Sequence, residues 1–153
     1  MADTFSQIYI HLVFSVKGRQ NIIHKTWREE LFKYVSGIIK GRDQKVFAIG
    51  GMPDHIHILI SLRPNYLVSE LVNSVKTNSS KWINSKGFIK GKFNWQEGYG
   101  AFSYGQSQLD HVIQYINNQE LHHQRKSFKE EYIELLEKFN IKFDEKYLFD
   151  WVE

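Results

Sequence analysis

The stretch PDHIHILI, residues 53–60, alternates its side chains as a β-strand does. His55 and His57 lie two residues apart and therefore project from one face of that strand, while three isoleucines project from the other. An isoleucine face is typical of a strand that packs on a hydrophobic core. The sequence therefore predicts a strand that builds a core on one side and offers two imidazoles on the other.

The segments around this strand predict the order β-α-β-β-α-β followed by a further helix. Alternating residues indicate strands, hydrophobic residues at helical spacing indicate helices, and an aromatic, glycine-rich segment indicates a last strand with a bend. The predicted strands are 7–17, 45–51, 55–62 and 93–104, and the predicted helices are 26–41, 66–85 and about 108–124.

This order predicts an α+β, ferredoxin-like (RRM-like) fold, in which both crossover helices cover one face of the sheet. The first and third strands are neighbours in that plan. His11 of the first strand therefore shares the open face with His55 and His57. The last predicted helix, which bears Tyr115, is the candidate to cover this face.

The chain of 153 residues is the size of one domain, and we expect residues 1–153 to form it. An amphipathic pattern begins at Phe128. It predicts a helical tail, at about 128–153, that packs on the domain or on a dimer partner.

The composition limits the chemistry and the cell compartment. The chain has no cysteine, so its own residues provide neither a disulfide nor a thiolate metal ligand. No segment has the pattern of a signal peptide or of a membrane span, and we expect a cytoplasmic protein with no membrane partner.

The net charge of +3 is unevenly distributed, because residues 1–128 are basic and residues 129–153 are acidic. A run of lysines between 76 and 92 has no acidic residue among them. Such a run can bind phosphates, although a solvated lysine face is the commoner reason for it.

Tyr115 and Gln119 lie one turn apart on the last predicted helix. They project to one side of its apolar stripe, where a tyrosine of the core would less naturally lie. The spacing indicates a functional pair without excluding a packing role for Tyr115.

These residue types suit phosphate chemistry at a metal ion. Two imidazoles and an amide oxygen can hold a divalent cation and leave positions open for a phosphate oxygen. A nearby tyrosine hydroxyl can attack phosphorus and become covalently attached. Because the ordinary pKa of tyrosine is near 10, the attack needs activation or strong stabilisation of the transition state.

Three segments, PDHIHILI, WQEGYGAFS and QYINNQ, resemble a known family. His55-Ile56-His57 is similar to the histidine-hydrophobe-histidine (HUH) motif, and Tyr115 with Gln119 is similar to the nucleophile-and-ligand pair of single-tyrosine HUH transposases. These enzymes occur in small bacterial insertion sequences and in REP-associated relatives. The resemblance covers nearly all of residues 5–143.

The resemblance implies an enzyme that cleaves and rejoins single-stranded DNA at hairpin ends through a 5′-phosphotyrosine, releasing a 3′-hydroxyl. Tyr115 is the implied nucleophile, and the implied ligands of Mg²⁺ or Mn²⁺ are His55, His57 and Gln119. It also implies a homodimer, acting on DNA of the bacterial nucleoid. In such dimers the tyrosine helix can serve its own site or complete the partner's site, and a hinge at Gly105 would allow either. The turn SVKGRQNII after the first strand is less basic than in many relatives and lacks their proline, which leaves the details of DNA-end recognition open.

Three residues near the histidine pair have two interpretations each. Lys17 and Arg19, which end the first strand, are candidate DNA-phosphate contacts or ordinary surface cations. Asp54 can orient the His55 imidazole or cap a turn.

Four more residues are weaker candidates. His11 is a second-layer group or a partly buried strand histidine, and Glu97 is a carboxylate near the metal or an exposed loop residue. His122 and His123 are possible replacements for Gln119, but their predicted helical positions do not favour them.

A non-catalytic, domesticated module that binds single-stranded or hairpin nucleic acid is the alternative function. Tyr9, Tyr99 and Phe102 would then serve as stacking platforms. A larger HUH nickase of replication or plasmid transfer would need more domains. The combination of tyrosine, histidines and glutamine favours the enzyme, because binding alone needs none of that set.

Overall fold

The computed structural model describes residues 4–144. The strands are β1 Tyr9–Ser15, β2 Lys45–Met52, β3 His55–Ser61 and β4 Gly100–Tyr104. The helices are α1 Lys25–Gly41, α2 Val68–Lys86, α3 Leu109–Asn117, α4 Gln119–His122 and α5 Phe128–Lys138. None of the helices within residues 4–144 is long and apolar enough to cross a bilayer.

The four strands form one antiparallel sheet in the order β2-β3-β1-β4. This order confirms the predicted ferredoxin-like fold. The register places Val13 opposite His57 and Ser15 opposite His55, so the predicted open face of β1 does lie beside the histidine pair.

One face of the sheet forms the main hydrophobic core with α1 and α2. Ile56, Ile58 and Ile60 of β3 are fully buried in it, as the alternating pattern predicts. The histidines of the same strand therefore project from the opposite face.

The opposite face is covered by α3, α4 and α5. Ile116 of α3 packs on Ala48 and Leu59, while Phe128 and Leu135 of α5 belong to a separate cluster. The described part of the predicted tail thus packs on its own domain. The remainder of that tail, residues 145–153, lies outside the described residues.

Two predicted elements differ from those observed. The helix expected over about 108–124 is broken at Asn118, whose backbone angles are φ −106° and ψ 30°. The last strand is confined to Gly100–Tyr104, because Gly98 turns the chain at φ 81° and Trp95 forms only an isolated bridge with Val16.

The WQEGYG segment before β4 braces the end of β1. The Ser15 backbone N–H donates to Gln96 Oε1 at 2.9 Å, and Trp95 Nε1 donates to Ser79 Oγ at 2.9 Å. Lys76 Nζ donates to the Gln96 carbonyl at 2.9 Å, and burial lowers the pKa of Lys76 to about 8. One lysine of the basic run therefore holds a loop in place, whereas the others are exposed.

Candidate active site

The two histidines of β3 lie fully buried beneath the C-terminal helices. His55 Nε2 lies 3.0 Å from Gln119 Oε1 and 3.5 Å from Glu131 Oε1. His57 Nε2 lies 2.9 Å from the same Glu131 oxygen. A side chain from α4 and another from α5 therefore converge on the histidine pair.

Tyr115 reaches the same carboxylate from α3. Its hydroxyl donates a hydrogen bond to Glu131 Oε2, and Gln119 Nε2 donates to that oxygen at 3.4 Å. The structure thus brings together Tyr115, His55, His57 and Gln119, the four residues that the sequence analysis selects.

Glu131 is the residue at the centre of the site that the sequence analysis missed. The sequence pattern places Glu131 only in an acidic, amphipathic tail. The sequence does indicate that Glu131 is unusual. Residues 128, 131, 132 and 135 share one face of a helix, and Phe128, Tyr132 and Leu135 make that face apolar apart from Glu131. A glutamate on an otherwise apolar face, here 4% exposed, indicates a buried carboxylate with specific partners.

The buried carboxylate of Glu131 is surrounded by three imidazoles. Burial alone would raise the pKa of Glu131, but the neighbouring imidazoles of His57, His123 and His55 outweigh it and hold that pKa well below its usual range. Burial and the Glu131 charge raise the pKa of Tyr115 far above its usual range. At neutral pH the site therefore contains a carboxylate and a neutral tyrosine.

The histidine rings are oriented by neighbours on the side away from Glu131. Asp54 Oδ1 lies 2.7 Å from His55 Nδ1, and His11 Nε2 lies 2.8 Å from His57 Nδ1. Burial lowers the pKa of both His11 and His57, so these two rings are neutral. Asp54 and His11 therefore occupy the positions of the orienting groups that metal-binding imidazoles usually have.

The donor atoms suit a divalent cation. His55, His57 and Glu131 each offer one ligand atom, and these atoms lie within 4.8 Å of one another. Gln119 Oε1 borders the same space. Two imidazole nitrogens with carboxylate and amide oxygens form a mixed set that a divalent metal such as Mn²⁺ accepts.

His123 is also part of this cluster, although its predicted position did not favour it. His123 Nε2 lies 3.1 Å from Gln119 Oε1 and 3.3 Å from Glu131 Oε1. Burial lowers its pKa, but contact with Glu131 outweighs burial and the net shift is upward. The break at Asn118 redirects the chain, so the position of His123 differs from the one projected from a continuous helix, whereas Gln119, directly after the break, still lies on the side of Tyr115.

The remaining candidates lie outside the cluster. The ring of His122 lies 4.6 Å from that of Tyr115, measured between centroids. Glu97 is exposed on the loop before β4. Lys17 and Arg19 form a turn at the end of β1, and the Val16 backbone N–H donates to the Asp54 carbonyl at 2.8 Å, which ties this turn to the end of the sheet that bears His55.

The structure excludes one of the three aromatic residues suggested to stack on bases in a nucleic-acid-binding module. Phe102 is only 2% exposed because it packs against α5, so it offers no face to a base. Tyr9 is half-buried, with its ring edge on Phe47, and Tyr99 is 37% exposed.

Two cavities open beside the tyrosine. One has a volume of about 210 Å³ and the other about 380 Å³, and Tyr115 and Glu131 line both. The larger cavity is also lined by His122, Arg125 and Lys126. Tyr115 and Glu131 thus border open space on two sides, and Arg125 and Lys126 line one of the two cavities.

Helix α3 sits very close to β2 at Gly50. A Cβ atom at this position would collide with the backbone carbonyl of Ile116, the residue after Tyr115. Only glycine allows this approach, so Gly50 sets the position of the tyrosine on its own sheet.

Replacing Gly50 with alanine should therefore push α3 away from the sheet. We expect the free energy of unfolding to fall by about 1–3 kcal/mol, the usual cost of overpacking, measured by urea denaturation. Gly37→Ala is the matched control, because the space around Gly37 in α1 is open and alanine favours helix. A Gly50→Ala protein as stable as the wild type would contradict this account of how α3 is seated.

The fold and the site define a class, a ferredoxin-like domain with a buried histidine and carboxylate centre facing a tyrosine. Residues 4–119 match the model of the family described as IS200-like transposase. The chain belongs to the IS200-like transposase family. The matched range includes β3, Tyr115 and Gln119 but ends before α5.

Individual relatives agree with this membership. The chain is 23% identical over 118 residues to the ISDra2 transposase TnpA of Deinococcus radiodurans, covering 74% of this chain and 84% of the relative. A crystal structure assigned as a transposase from D. radiodurans R1 has a TM-score of 0.61 at 20% identity, covering 78% of this chain and 95% of that one. A REP-associated tyrosine transposase bound to a REP hairpin has a TM-score of 0.59 at 16% identity, covering 80% and 74%. Both likenesses concern the fold.

Proposed function

We propose that this transposase is a metal-dependent enzyme that cleaves and rejoins single-stranded DNA through a 5′-phosphotyrosine at Tyr115. The observation that supports this proposal most strongly is that a tyrosine hydroxyl and two imidazoles all contact the carboxylate of Glu131. Glu131 contacts the hydroxyl of Tyr115 through one oxygen and the imidazoles of His55 and His57 through the other. A nucleophile therefore lies next to a set of metal-binding atoms.

His55, His57 and Gln119 are the proposed ligands of Mg²⁺ or Mn²⁺. A bound divalent cation would polarise the scissile phosphate and offset the charge that develops on it. Asp54 and His11 contact the Nδ1 atoms of His55 and His57 and so orient the two imidazoles.

Tyr115 forms the covalent bond to the substrate. Its oxygen attacks the phosphorus of the scissile phosphodiester, the bond from phosphorus to the 3′ oxygen breaks, and the released 3′ oxygen takes up a proton. The phenolic proton moves to Glu131 Oε2, the acceptor with which it is already hydrogen bonded. Because one phosphate ester replaces another, a 3′-hydroxyl can later attack the phosphotyrosine and rejoin the DNA.

The proposed substrate is single-stranded DNA with hairpins at the ends of an insertion sequence. Hairpin binding by a relative of the same fold supports this choice. The cations near the site also support it, since Lys17 and Arg19 lie at the end of the sheet with His55 and Arg125 lines a cavity beside Tyr115.

We also propose that the protein forms a homodimer and acts in the bacterial cytoplasm. One chain already contributes the tyrosine, both histidines and the glutamine to a single site. The proposed dimer would hold two DNA ends together, with each tyrosine helix serving its own site or the partner's.

The experiment that tests the function is a cleavage assay with hairpin oligonucleotides that carry element ends. The full chain is incubated with 3′-labelled DNA and Mn²⁺, and a denaturing gel separates free DNA from protein bearing the 3′ segment. We expect an adduct that needs Mn²⁺ and disappears with a chelator. If cognate ends give no adduct, the proposed enzymatic function is wrong, and a module that only binds nucleic acid is the better explanation.

A further inference from the structure

We propose that Glu131 is a fourth protein ligand of the divalent metal, supplied by α5 from beyond the part of the chain that matches the family. This inference rests on the proposed metal-dependent function. It assigns to one carboxylate the tasks of binding the metal and of positioning the tyrosine.

The distances between donor atoms support a shared ion. In octahedral coordination with bonds of about 2.0–2.1 Å, adjacent ligand atoms lie about 2.9 Å apart. Glu131 Oε1 lies 2.9 Å from His57 Nε2, and Gln119 Oε1 lies 3.0 Å from His55 Nε2. Glu131 Oε1 to His55 Nε2 is longer, at 3.5 Å.

The orientation of the His55 ring points the same way. Its Nδ1 faces the Asp54 carboxylate at 2.7 Å, and its Nε2 faces the oxygens of Gln119 and Glu131. With Nδ1 turned to Asp54, the His55 ring presents Nε2 to the space that Gln119 Oε1 and Glu131 Oε1 also border. A divalent cation in that space would have these three atoms as ligands.

Glu131 is held rigidly enough to act as a ligand. Its helix is anchored by Phe128, whose ring stacks on that of His55 with centroids 4.0 Å apart and planes 10° apart. Tyr132 and Leu135 are buried on the same face of α5. The carboxylate therefore has little freedom to leave the histidines.

The two oxygens of Glu131 have different partners. Oε1 faces the imidazole nitrogens, while Oε2 accepts from Tyr115 and Gln119. A metal bound to Oε1 would thus have its distance from the tyrosine set by a single side chain. Four protein ligands also leave two octahedral positions for a phosphate oxygen and water.

The test is Mn²⁺ binding to the full chain without DNA, measured by titration calorimetry. We expect Glu131→Gln to weaken Mn²⁺ binding by at least about tenfold, since it replaces an anionic ligand by a neutral one of the same shape. Glu137→Gln is the matched control, because Glu137 is exposed on the same helix. Its Mn²⁺ affinity should equal that of the wild type.

The outcomes separate this inference from the proposed function. If the wild type binds Mn²⁺ and folded Glu131→Gln binds it equally or more tightly, Glu131 is not a metal ligand, but the proposed metal-dependent function stands. Tighter binding would indicate that the carboxylate blocks the site. A wild type that binds no Mn²⁺ would overturn the metal-dependent function itself. If Glu131→Gln does not fold, Glu131→Asp takes its place, and an unchanged affinity of that shortened carboxylate would equally contradict the inference.

Discussion

Replacing Tyr115 with phenylalanine should abolish the covalent protein–DNA adduct. The change removes only the attacking oxygen, and we expect cleavage to fall by at least about a thousandfold, as for other nucleophile deletions. Adduct formation on a denaturing gel measures the effect. Mn²⁺ affinity should remain close to that of the wild type, because Tyr115 is not a proposed ligand.

The control for this variant is Tyr34→Phe. Tyr34 lies on α1, on the far side of the sheet, where its ring stacks on Trp82 with centroids 4.7 Å apart. Cleavage by this variant should match that of the wild type. A persistent adduct in Tyr115→Phe would show that another group is the nucleophile.

Replacing His57 with alanine should eliminate both cleavage and Mn²⁺ binding. His57 is fully buried and joins His11 on one side to Glu131 on the other, so its loss removes a ligand and leaves Glu131 Oε1 without its nearest partner. We expect a fall in cleavage of at least about a hundredfold from loss of the metal contribution. Affinity for hairpin DNA, measured by gel shift, should change little.

His24→Ala is the matched control, since His24 is exposed before α1 and makes no capping hydrogen bond through its side chain. Its cleavage and Mn²⁺ affinity should be those of the wild type. If His57→Ala instead loses hairpin binding and cleavage together, with a lower melting temperature, the histidine has a structural role.

The fold follows from the sequence because its periodicities are strong. The alternation around His55 and the helical spacing in α1 and α2 each correspond to burial on one face, and burial is what the structure confirms. One error lies at Asn118, where a local break in backbone geometry interrupts residues that have the composition of one continuous helix.

The grouping of Tyr115, Gln119, His55 and His57 was also accessible from sequence. Spacing within a strand and within one helical turn places each pair, and the ferredoxin-like order places the two pairs on the same face. Their chemical roles remain proposals that the variants above test.

Glu131 could not be assigned to the site in the same way. Its place depends on how α5 folds back over the sheet, which is a long-range packing event directed by Phe128 and Tyr132. The apolar face of α5 shows that the helix is covered, but local periodicity does not say by what. The sequence does not predict the place of His123 in the site for a related reason, because this residue follows the break at Asn118.

Peptide mass mapping of the protein–DNA adduct shows directly whether Tyr115 is the residue attached to DNA. The adduct from a hairpin oligonucleotide is digested with nuclease and trypsin, and tandem fragmentation locates the remaining nucleotide. We expect a nucleotide on Tyr115. A nucleotide on Tyr99 or Tyr104, which lie in the same tryptic peptide, or on any residue elsewhere in the chain, would contradict it.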